Sequence, residues 1–145
     1  MTSGPPRLPG ASSPCTSADA WLASGGLFVF DLNTLGTYRR LFTRDFVTEV
    51  DDAVFCWRGD GSPEPAPGTV SQARIEVFAA GSDGWERTTT THVQRHHTPA
   101  FVRSALDRAG FDVLLVNGQI NARQIDAHAD DDYHVKLLYL GRKRA

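Results

Sequence analysis

The first strong apolar run of the chain lies at residues 27–32, reads LFVFDL and follows a glycine pair. It lacks alternation between apolar and polar residues, which is typical of a strand buried on both faces in a parallel sheet. The run ends in Asn33 and Thr34, either of which can cap a helix. Apolar residues then recur at helical spacing, at Leu35, Tyr38, Leu41 and Phe42. The pattern predicts a buried strand followed by a short helix.

A region of a different type follows this helix. Residues 53–58 predict a strand with two distinct faces, and the prolines of residues 59–68 predict a loop. Residues 70–80 and 85–97 are rich in β-branched side chains, and the sequence Gly-Ser-Asp-Gly between them indicates a hairpin. We therefore expect a three-stranded antiparallel insert at about residues 46–97.

The clearest helix signal begins at Thr98, which can cap the helix, and ends at Gly110. Residues 111–116 predict a second buried strand. Residues 117–132 read as a polar loop that ends in a solvated acidic run. Residues 134–140 predict a third apolar strand. Strand, insert, helix, strand, loop and strand together predict an α/β fold with an open sheet.

Composition restricts the class of protein. The chain has 145 residues, of which 41% are hydrophobic and 22% charged, as in one soluble domain. A net charge of −2 gives no support for nucleic-acid binding. No apolar run approaches the roughly 20 residues that cross a bilayer, and the N-terminus lacks a signal-peptide pattern, so we expect a cytoplasmic protein without membrane contact. Residues 1–20 are rich in proline and are expected to form a disordered tail before a folded unit at residues 21–145.

The order of elements resembles that of a known enzyme family. With the segments GGLFVFDLNT and THVQRHHTPAFVRSALDRAGFDV, it is similar to the C-terminal half of class I S-adenosylmethionine-dependent methyltransferases. The nearest subgroup carries an antiparallel lid sheet, and several of its members act on amines of small molecules or sugars. The resemblance implies a partial Rossmann-like sheet. In it, residues 27–32 are the fifth strand, residues 111–116 the sixth, and residues 134–140 the antiparallel seventh, inserted between them.

The sequence lacks the features with which this family binds its cofactor. These are a glycine-rich turn after the first strand, an acidic residue ending the second, and a polar pair near the fourth. The resemblance implies S-adenosylmethionine as cofactor of the full-length family, whereas this chain alone is expected to bind none and to be inactive. Whether the chain is truncated or an independent domain stays open. Without a fourth strand, residues 27–32 are expected to form an exposed sheet edge, which predicts marginal stability or pairing with another chain.

Several residues are candidates for binding a small-molecule substrate: Asp31, Asn33, Thr34, Tyr38 and Trp57. The first three lie at the carboxyl end of the predicted strand, where open α/β sheets place their ligands. For Asn33 and Thr34 the structural alternative is a helix cap. For Trp57, as for the other aromatic residues of the insert, the alternatives are a packed core or a dimer interface.

No catalytic residue can be assigned, although His92, His96 and His97 are candidates for a base because histidine titrates near neutrality. The alternative is packing within the insert. As a metal site the group is poor, since His92 and His96 on one strand would lie about 13 Å apart. Cys15 and Cys56 are also far apart in sequence, so no metal site is expected.

Two functions remain open from the sequence. The first is an S-adenosylmethionine-dependent methyltransferase that acts on an N or O nucleophile of a small molecule, with cofactor contacts supplied from outside this chain. The second is a non-catalytic remnant or partner-binding module. A homodimer, or pairing with another chain, is expected to use the edge at residues 27–32 or the insert.

Overall fold

The structure, a computed structural model, describes residues 20–145, so most of the predicted tail at residues 1–20 and Cys15 lie outside it. The strands are β1 (Leu27–Asn33), β2 (Asp45–Val50), β3 (Ala53–Asp60), β4 (Val70–Gly81), β5 (Gly84–Arg95), β6 (Phe111–Asn121), β7 (Gln124–Asp126) and β8 (Lys136–Lys143). The helices that position the site are α1 (Leu35–Leu41) and α2 (Pro99–Arg108).

Four strands form a base sheet in the order β1-β8-β6-β7. β8 runs antiparallel to both β1 and β6 and lies between them, as the sequence predicted for its last strand. β1 and β6 therefore point in the same direction without pairing. β1 is an edge strand whose only neighbour among residues 20–145 is β8, which confirms the predicted exposed edge.

Helix α2 covers one face of the base sheet. Its side chains Val102 and Leu106 pack against Phe111, Leu137 and Tyr139, and each fully buried side chain of this size contributes about 2 kcal/mol to folding. The helix begins as predicted, because the Thr98 side chain accepts a hydrogen bond from the Phe101 backbone amide and a proline occupies the first turn. Gly110 ends it at φ 81°, a conformation that favours glycine.

The opposite face of the base sheet is not covered in the same way. Leu27 is 54% exposed and Val29 is 64% exposed, whereas Phe28 and Phe30 pack toward α2. The expectation that β1 is buried on both faces is therefore wrong for this structure. An apolar run without polar alternation indicates that both faces of a strand are apolar. It does not indicate which of the two faces is covered by another element.

The insert forms a second antiparallel sheet, the insert sheet, in the order β2-β3-β4-β5. The insert sheet has four strands rather than the predicted three. The additional strand is β2, all of whose residues are exposed. Helix α1 connects this sheet to the site: Phe42 and Tyr38 pack near Ala73, and the Trp57 indole nitrogen donates to the Leu41 carbonyl at 3.1 Å.

The loop between β7 and β8 joins the two sheets. Asp131 accepts hydrogen bonds at the start of α1, through its side chain from the Leu35 amide at 3.2 Å and through its carbonyl from the Gly36 amide at 2.9 Å. The same carboxylate lies 2.9 Å from Nε2 of His96, just after β5. The prediction of a polar loop at residues 117–132 is therefore wrong in two respects. β6 and β7 form a hairpin within this range, and the acidic run at its end is hydrogen-bonded rather than freely solvated.

Candidate functional site

A cavity of about 620 Å³ opens at the carboxyl end of β1, between α1, the end of β5 and α2. Its polar wall consists of Asp31, Asn33, Tyr38, Gln94, Arg95 and His97. Its apolar wall consists of Phe28, Phe30, Leu32, Phe101, Val102 and Ala105. The two walls meet where β1 ends, so a ligand placed there would contact hydrogen-bonding groups on one side and aromatic rings on the other.

Three predicted site residues on β1 and α1 line this cavity. Asn33 donates its side-chain amide to Oε1 of Gln94 at 2.7 Å, which connects the base sheet to the insert sheet. Asp31 accepts a hydrogen bond from Nζ of Lys136 at 2.9 Å and remains partly exposed. Its carboxylate is therefore charge-balanced but still reachable from solvent.

Tyr38 is the most buried of the predicted substrate-binding residues that line the cavity, with 2% of its surface exposed. Its ring stacks on Phe42 at 5.0 Å, and no hydrogen bond joins its hydroxyl to another residue in the part of the chain that the structure describes. Burial raises the pKa of Tyr38 to about 12. The phenol therefore stays protonated at physiological pH and can donate a hydrogen bond into the cavity but cannot act as a base.

His97 is the one candidate histidine that lines the cavity. Its ring stacks on Phe101 with centroids 5.0 Å apart. Burial, followed by the neighbouring His96 and Arg95, lowers the pKa of His97 below the ordinary histidine value. The imidazole is thus neutral near pH 7 and able to accept a proton.

The other two histidines lie elsewhere. His96 is buried, with Nδ1 accepting from the Gly68 amide at 3.1 Å and Nε2 facing Asp131, so both ring nitrogens have protein partners. His92 is exposed on β5, opposite Ala73 in the insert sheet. The geometry gives His96 a structural position and leaves His92 outside the cavity wall.

Thr34 and Trp57 do not line the cavity either. The hydroxyl of Thr34 accepts from the Thr37 amide at 3.1 Å and donates to the His134 carbonyl at 2.5 Å, so Thr34 is the N-cap of α1. Trp57 packs between the rings of Phe42 and Phe46. Thr34 is therefore a helix cap and Trp57 a packed core residue, which were the structural alternatives that the sequence left open for them.

Gln94, Arg95 and Phe101 are among the cavity residues that the sequence reasoning missed. Gln94 and Arg95 were assigned to a strand without a site role, and Phe101 was assigned to the apolar face of a helix. The only local signal for a site role was their position, where β5 ends beside the histidines and α2 begins. The bond of Gln94 to Asn33 in β1 joins residues 61 positions apart, a contact that no local pattern encodes.

The described residues do not fit a nucleotide-like cofactor by themselves. Four glycines have positive φ, namely Gly25, Gly68, Gly84 and Gly110, and none of them opens a helix after a strand. The turn from β1 into α1 is filled by the Thr34 cap, and a Cβ on Gly36 would lie 2.2 Å from the Asp132 carbonyl oxygen. The turn after β1 is thus filled by protein atoms and leaves no space for a phosphate or carboxylate.

Within residues 20–145, no three His, Cys, Asp or Glu side chains are grouped so that they could hold a metal ion. No helix in the same range is long and apolar enough to cross a membrane. Cys56 is a free, half-buried thiol on β3.

The fold is similar to solved methyltransferases. An S-adenosylmethionine-dependent methyltransferase from Clostridium acetobutylicum ATCC 824 aligns with 90% of this chain at a TM-score of 0.69 and 15% identity. The sugar N-methyltransferase KedS8 from Streptoalloteichus sp ATCC 53650 aligns with 90% at a TM-score of 0.57 and 18% identity. The CcbJ methyltransferase from Streptomyces caelestis aligns with 90% at a TM-score of 0.59 and 18% identity. No family model and no curated protein sequence matches the chain.

The chain spans about half the length of these three structures, at 50%, 47% and 51%. The predicted resemblance to one half of such an enzyme is therefore confirmed. At these identities the likeness establishes the fold, which is a mixed α/β structure with antiparallel sheets similar to that of methyltransferases.

Proposed function

We propose that this chain is the substrate-binding half of an S-adenosylmethionine-dependent methyltransferase that acts on an N or O nucleophile of a small molecule, such as an amino sugar. The observation that carries the proposal is the cavity at the end of β1, which has one polar and one apolar wall. The fold around it is similar to that of solved methyltransferases, one of which is a sugar N-methyltransferase. Under this proposal the base sheet is a partial Rossmann-like sheet, and residues 46–97 are a lid within a unit at residues 21–145.

The polar wall of the cavity is suited to a hydroxylated amine. Tyr38 donates a hydrogen bond, the Asn33 and Gln94 amides both donate and accept, and the Asp31 carboxylate, paired with Lys136, can accept a further hydrogen bond from an amine or hydroxyl. Ring faces of Phe30 and Phe101 can cover the apolar side of a sugar. These contacts would hold a nucleophile in line with a methyl group, which is the principal requirement of methyl transfer.

The candidate base is His97. A nucleophile that arrives protonated must lose its proton, and a neutral imidazole at the cavity wall can accept it. We assign His92 and His96 no part in this step, because one lies outside the cavity wall and the other has both nitrogens bonded. Thr34 and Trp57 would act indirectly, by holding α1 in position.

We assign no cofactor contact to the described residues. Under this proposal S-adenosylmethionine is held by protein outside this chain. Accordingly we propose that the chain alone is inactive. A cytoplasmic location and a homodimer, or pairing with another chain through β1 or the insert sheet, belong to the same proposal. The alternative function, a non-catalytic partner-binding module, is favoured by one observation: β1 is an apolar edge strand without a second neighbour among residues 20–145.

The test is a nuclear magnetic resonance titration of the isolated chain with glucosamine, with glucose and with S-adenosylmethionine. We expect millimolar glucosamine to shift the side-chain amides of Asn33 and Gln94, with glucose weaker and S-adenosylmethionine without effect. A Tyr38→Phe variant should lose most of the response. If neither sugar shifts these amides, the substrate half of the proposal fails; tight binding of S-adenosylmethionine to the monomer would overturn the assignment of the cofactor to another segment.

A further inference from the structure

Four charged side chains form one group on the outer face of the insert sheet, the face that points away from α1. Arg58, Arg74 and Arg87 come from three neighbouring strands, and each donates to the carboxylate of Glu76. Nε of Arg58 lies 3.1 Å and Nη2 of Arg74 lies 3.4 Å from Oε2, while Arg87 bonds to Oε1. One carboxylate thus draws three guanidinium groups together, and we call these four residues the arginine cluster.

The arginine cluster and the cavity lie on opposite faces of the insert sheet. Ala73 of β4 is buried against α1, and Gln94, which lines the cavity, pairs with Ser71 on the same face as Ala73. Successive side chains of a strand alternate between faces, so Arg74 and Glu76 point the other way. A ligand of the arginine cluster would therefore not occupy the cavity.

The carboxylate of the cluster is buried, whereas its three arginines reach solvent. Only 5% of the Glu76 side chain is exposed, against 51–55% of each arginine side chain. Hydrogen bonds from Arg58 and Arg87 hold the pKa of Glu76 below its ordinary value. A guanidinium group has five N–H donors, and none of these three groups bonds to an acceptor other than Glu76 within residues 20–145. Most of their donors are thus available to a ligand.

The cluster carries more positive charge than the sheet can use. Arg58 and Arg74 lie directly opposite each other across β3 and β4, and like charges in this arrangement destabilise a sheet. Glu76 balances one of the three positive charges. Asp45 lies 4.0 Å from Nη1 of Arg58, but both side chains are more than half exposed, so this pair contributes little. A bound anion would offset the remaining charge.

We infer that the arginine cluster binds a dianionic phosphoryl group, either free or carried by a small molecule. A phosphate monoester has a charge of about −1.5 to −2 at pH 7 and three acceptor oxygens, which guanidinium groups match with paired N–H donors. Thr89 is exposed and lies opposite Glu76 on β5, so its hydroxyl adds a donor on the same face. The inference goes beyond the proposed function, because this site is separate from the cavity and its occupation requires no methyl transfer.

Acidic residues around the cluster favour a small ligand over a long polyanion. Asp45 and Glu49 on β2 and Asp60 on β3 share the outer face with the cluster. Phosphates on either side of the bound one would pass these carboxylates and be repelled. The net charge of −2 likewise gives the chain no general attraction for nucleic acid.

The experiment is a nuclear magnetic resonance titration of the full chain with phenyl phosphate, phenyl sulfate and inorganic phosphate. It uses low salt and a pH of about 7.5, where phosphoryl groups are mostly dianionic. We expect millimolar phenyl phosphate to shift the Nε–H signals of the three cluster arginines to saturation, with the side-chain amides of Asn33 and Gln94 unchanged. Phenyl sulfate has a similar shape but one negative charge, so it should bind about tenfold more weakly. The tighter ligand of phenyl phosphate and inorganic phosphate identifies whether the site prefers an ester or the free ion.

Two arginine variants provide the matched control. Arg74→Gln removes one charge from the cluster while Glu76 keeps its other two partners, and it should weaken phenyl phosphate binding about tenfold. Arg108→Gln removes the same charge from α2, where the exposed side chain bonds to the Ser104 hydroxyl at 2.6 Å, and it should leave the affinity unchanged. The backbone amide spectra of both variants should remain those of the folded chain.

Three results would overturn the inference. The first is a titration of the unmodified chain in which the arginine signals do not respond, or in which only the cavity amides respond. The second is phenyl sulfate binding as tightly as phenyl phosphate. The third is an equal loss of affinity in the two variants, which would indicate a general effect of charge rather than a site.

Discussion

The side chain of Asn33 donates to that of Gln94 at 2.7 Å, although 61 positions separate the two residues. Asn33 is the last residue of β1 in the base sheet, and Gln94 lies at the end of β5 in the insert sheet. Both line the cavity. The bond therefore fixes the distance between the two sheets at the point where a substrate would enter.

Removing this bond should loosen the insert sheet. We expect Gln94→Ala to reduce the free energy of unfolding by about 1 kcal/mol, the usual value for one partly buried hydrogen bond. Amides near Arg95 should exchange faster in the variant, as measured by hydrogen exchange. Gln72→Ala is the control, because it removes the bond of Gln72 to Asp60 on the exposed surface of the same sheet. Equal effects of the two substitutions would contradict the role of Asn33 and Gln94.

His96 should be the most sensitive of the three candidate histidines to substitution. His96→Ala leaves the Gly68 amide and Oδ2 of Asp131 without the histidine that bonds them and opens a cavity. We expect a loss of about 3 kcal/mol in urea denaturation. His92→Ala, on the exposed face of β5, should change the free energy of unfolding by less than about 0.5 kcal/mol. A small effect of His96→Ala would show that Asp131 holds α1 without the histidine.

His97 gives stability a pH dependence of known sign. Its pKa is lowered in the folded protein, so the unfolded chain binds the proton more readily. The stabilisation is complete above the ordinary histidine pKa of about 6.5 and is lost as pH falls through the lower folded-state value. Urea midpoints measured between pH 5 and 8 should therefore fall less steeply toward acid in His97→Gln than in the unmodified chain.

The cause of this pKa can be tested separately. Phe101 stacks on the imidazole, and Phe101→Ala would expose it to water. The pKa of His97, followed by its ring proton resonance, should rise toward the ordinary value in this variant. An unchanged pKa of His97 would mean that the neighbouring His96 and Arg95, rather than burial, lower it.

Tyr38 should affect ligand binding without affecting the fold. Tyr38→Phe keeps the ring that stacks on Phe42 and removes only the hydroxyl, which has no partner among residues 20–145. We expect glucosamine affinity to fall about tenfold, as for one lost hydrogen bond, with an unfolding free energy within about 0.5 kcal/mol of the original. A large loss of stability would indicate that the hydroxyl is bonded within the protein.

The sequence predicted best where local chemistry decides the structure. Thr98, Pro99 and Gly110 define α2 because a cap, a proline and a left-handed glycine each act within one turn. β2 was missed because each of its six residues is exposed, so it has no buried face to generate a periodic signal. The hairpin of β6 and β7 was read as a loop for a related reason, since its polar residues follow the apolar half of one long strand.

The candidate site was predicted in part. The rule that ligands lie at the carboxyl end of a strand predicted Asp31 and Asn33, which line the cavity, and Thr34, which does not; Tyr38 was a separate candidate on the following helix. Gln94 and Arg95 come to the cavity because the insert sheet folds back on α1 through Phe42 and Trp57. The position of the insert sheet against α1 depends on packing between segments that are distant in sequence. Residues 92–97 alone therefore do not indicate which histidine faces the cavity.

Asp131 bonds to Leu35 at the start of α1, the helix that precedes the insert sheet, and to His96, directly after the last strand of that sheet. The two ends of the segment from Leu35 to His96 are thus held at one point, in the loop between β7 and β8. Such an attachment allows relatives to exchange the whole segment for another of different length or chemistry without disturbing the strands beneath. Under the proposed function, replacement of this one segment would change substrate preference without changing the base sheet, provided that Asp131 keeps both bonds.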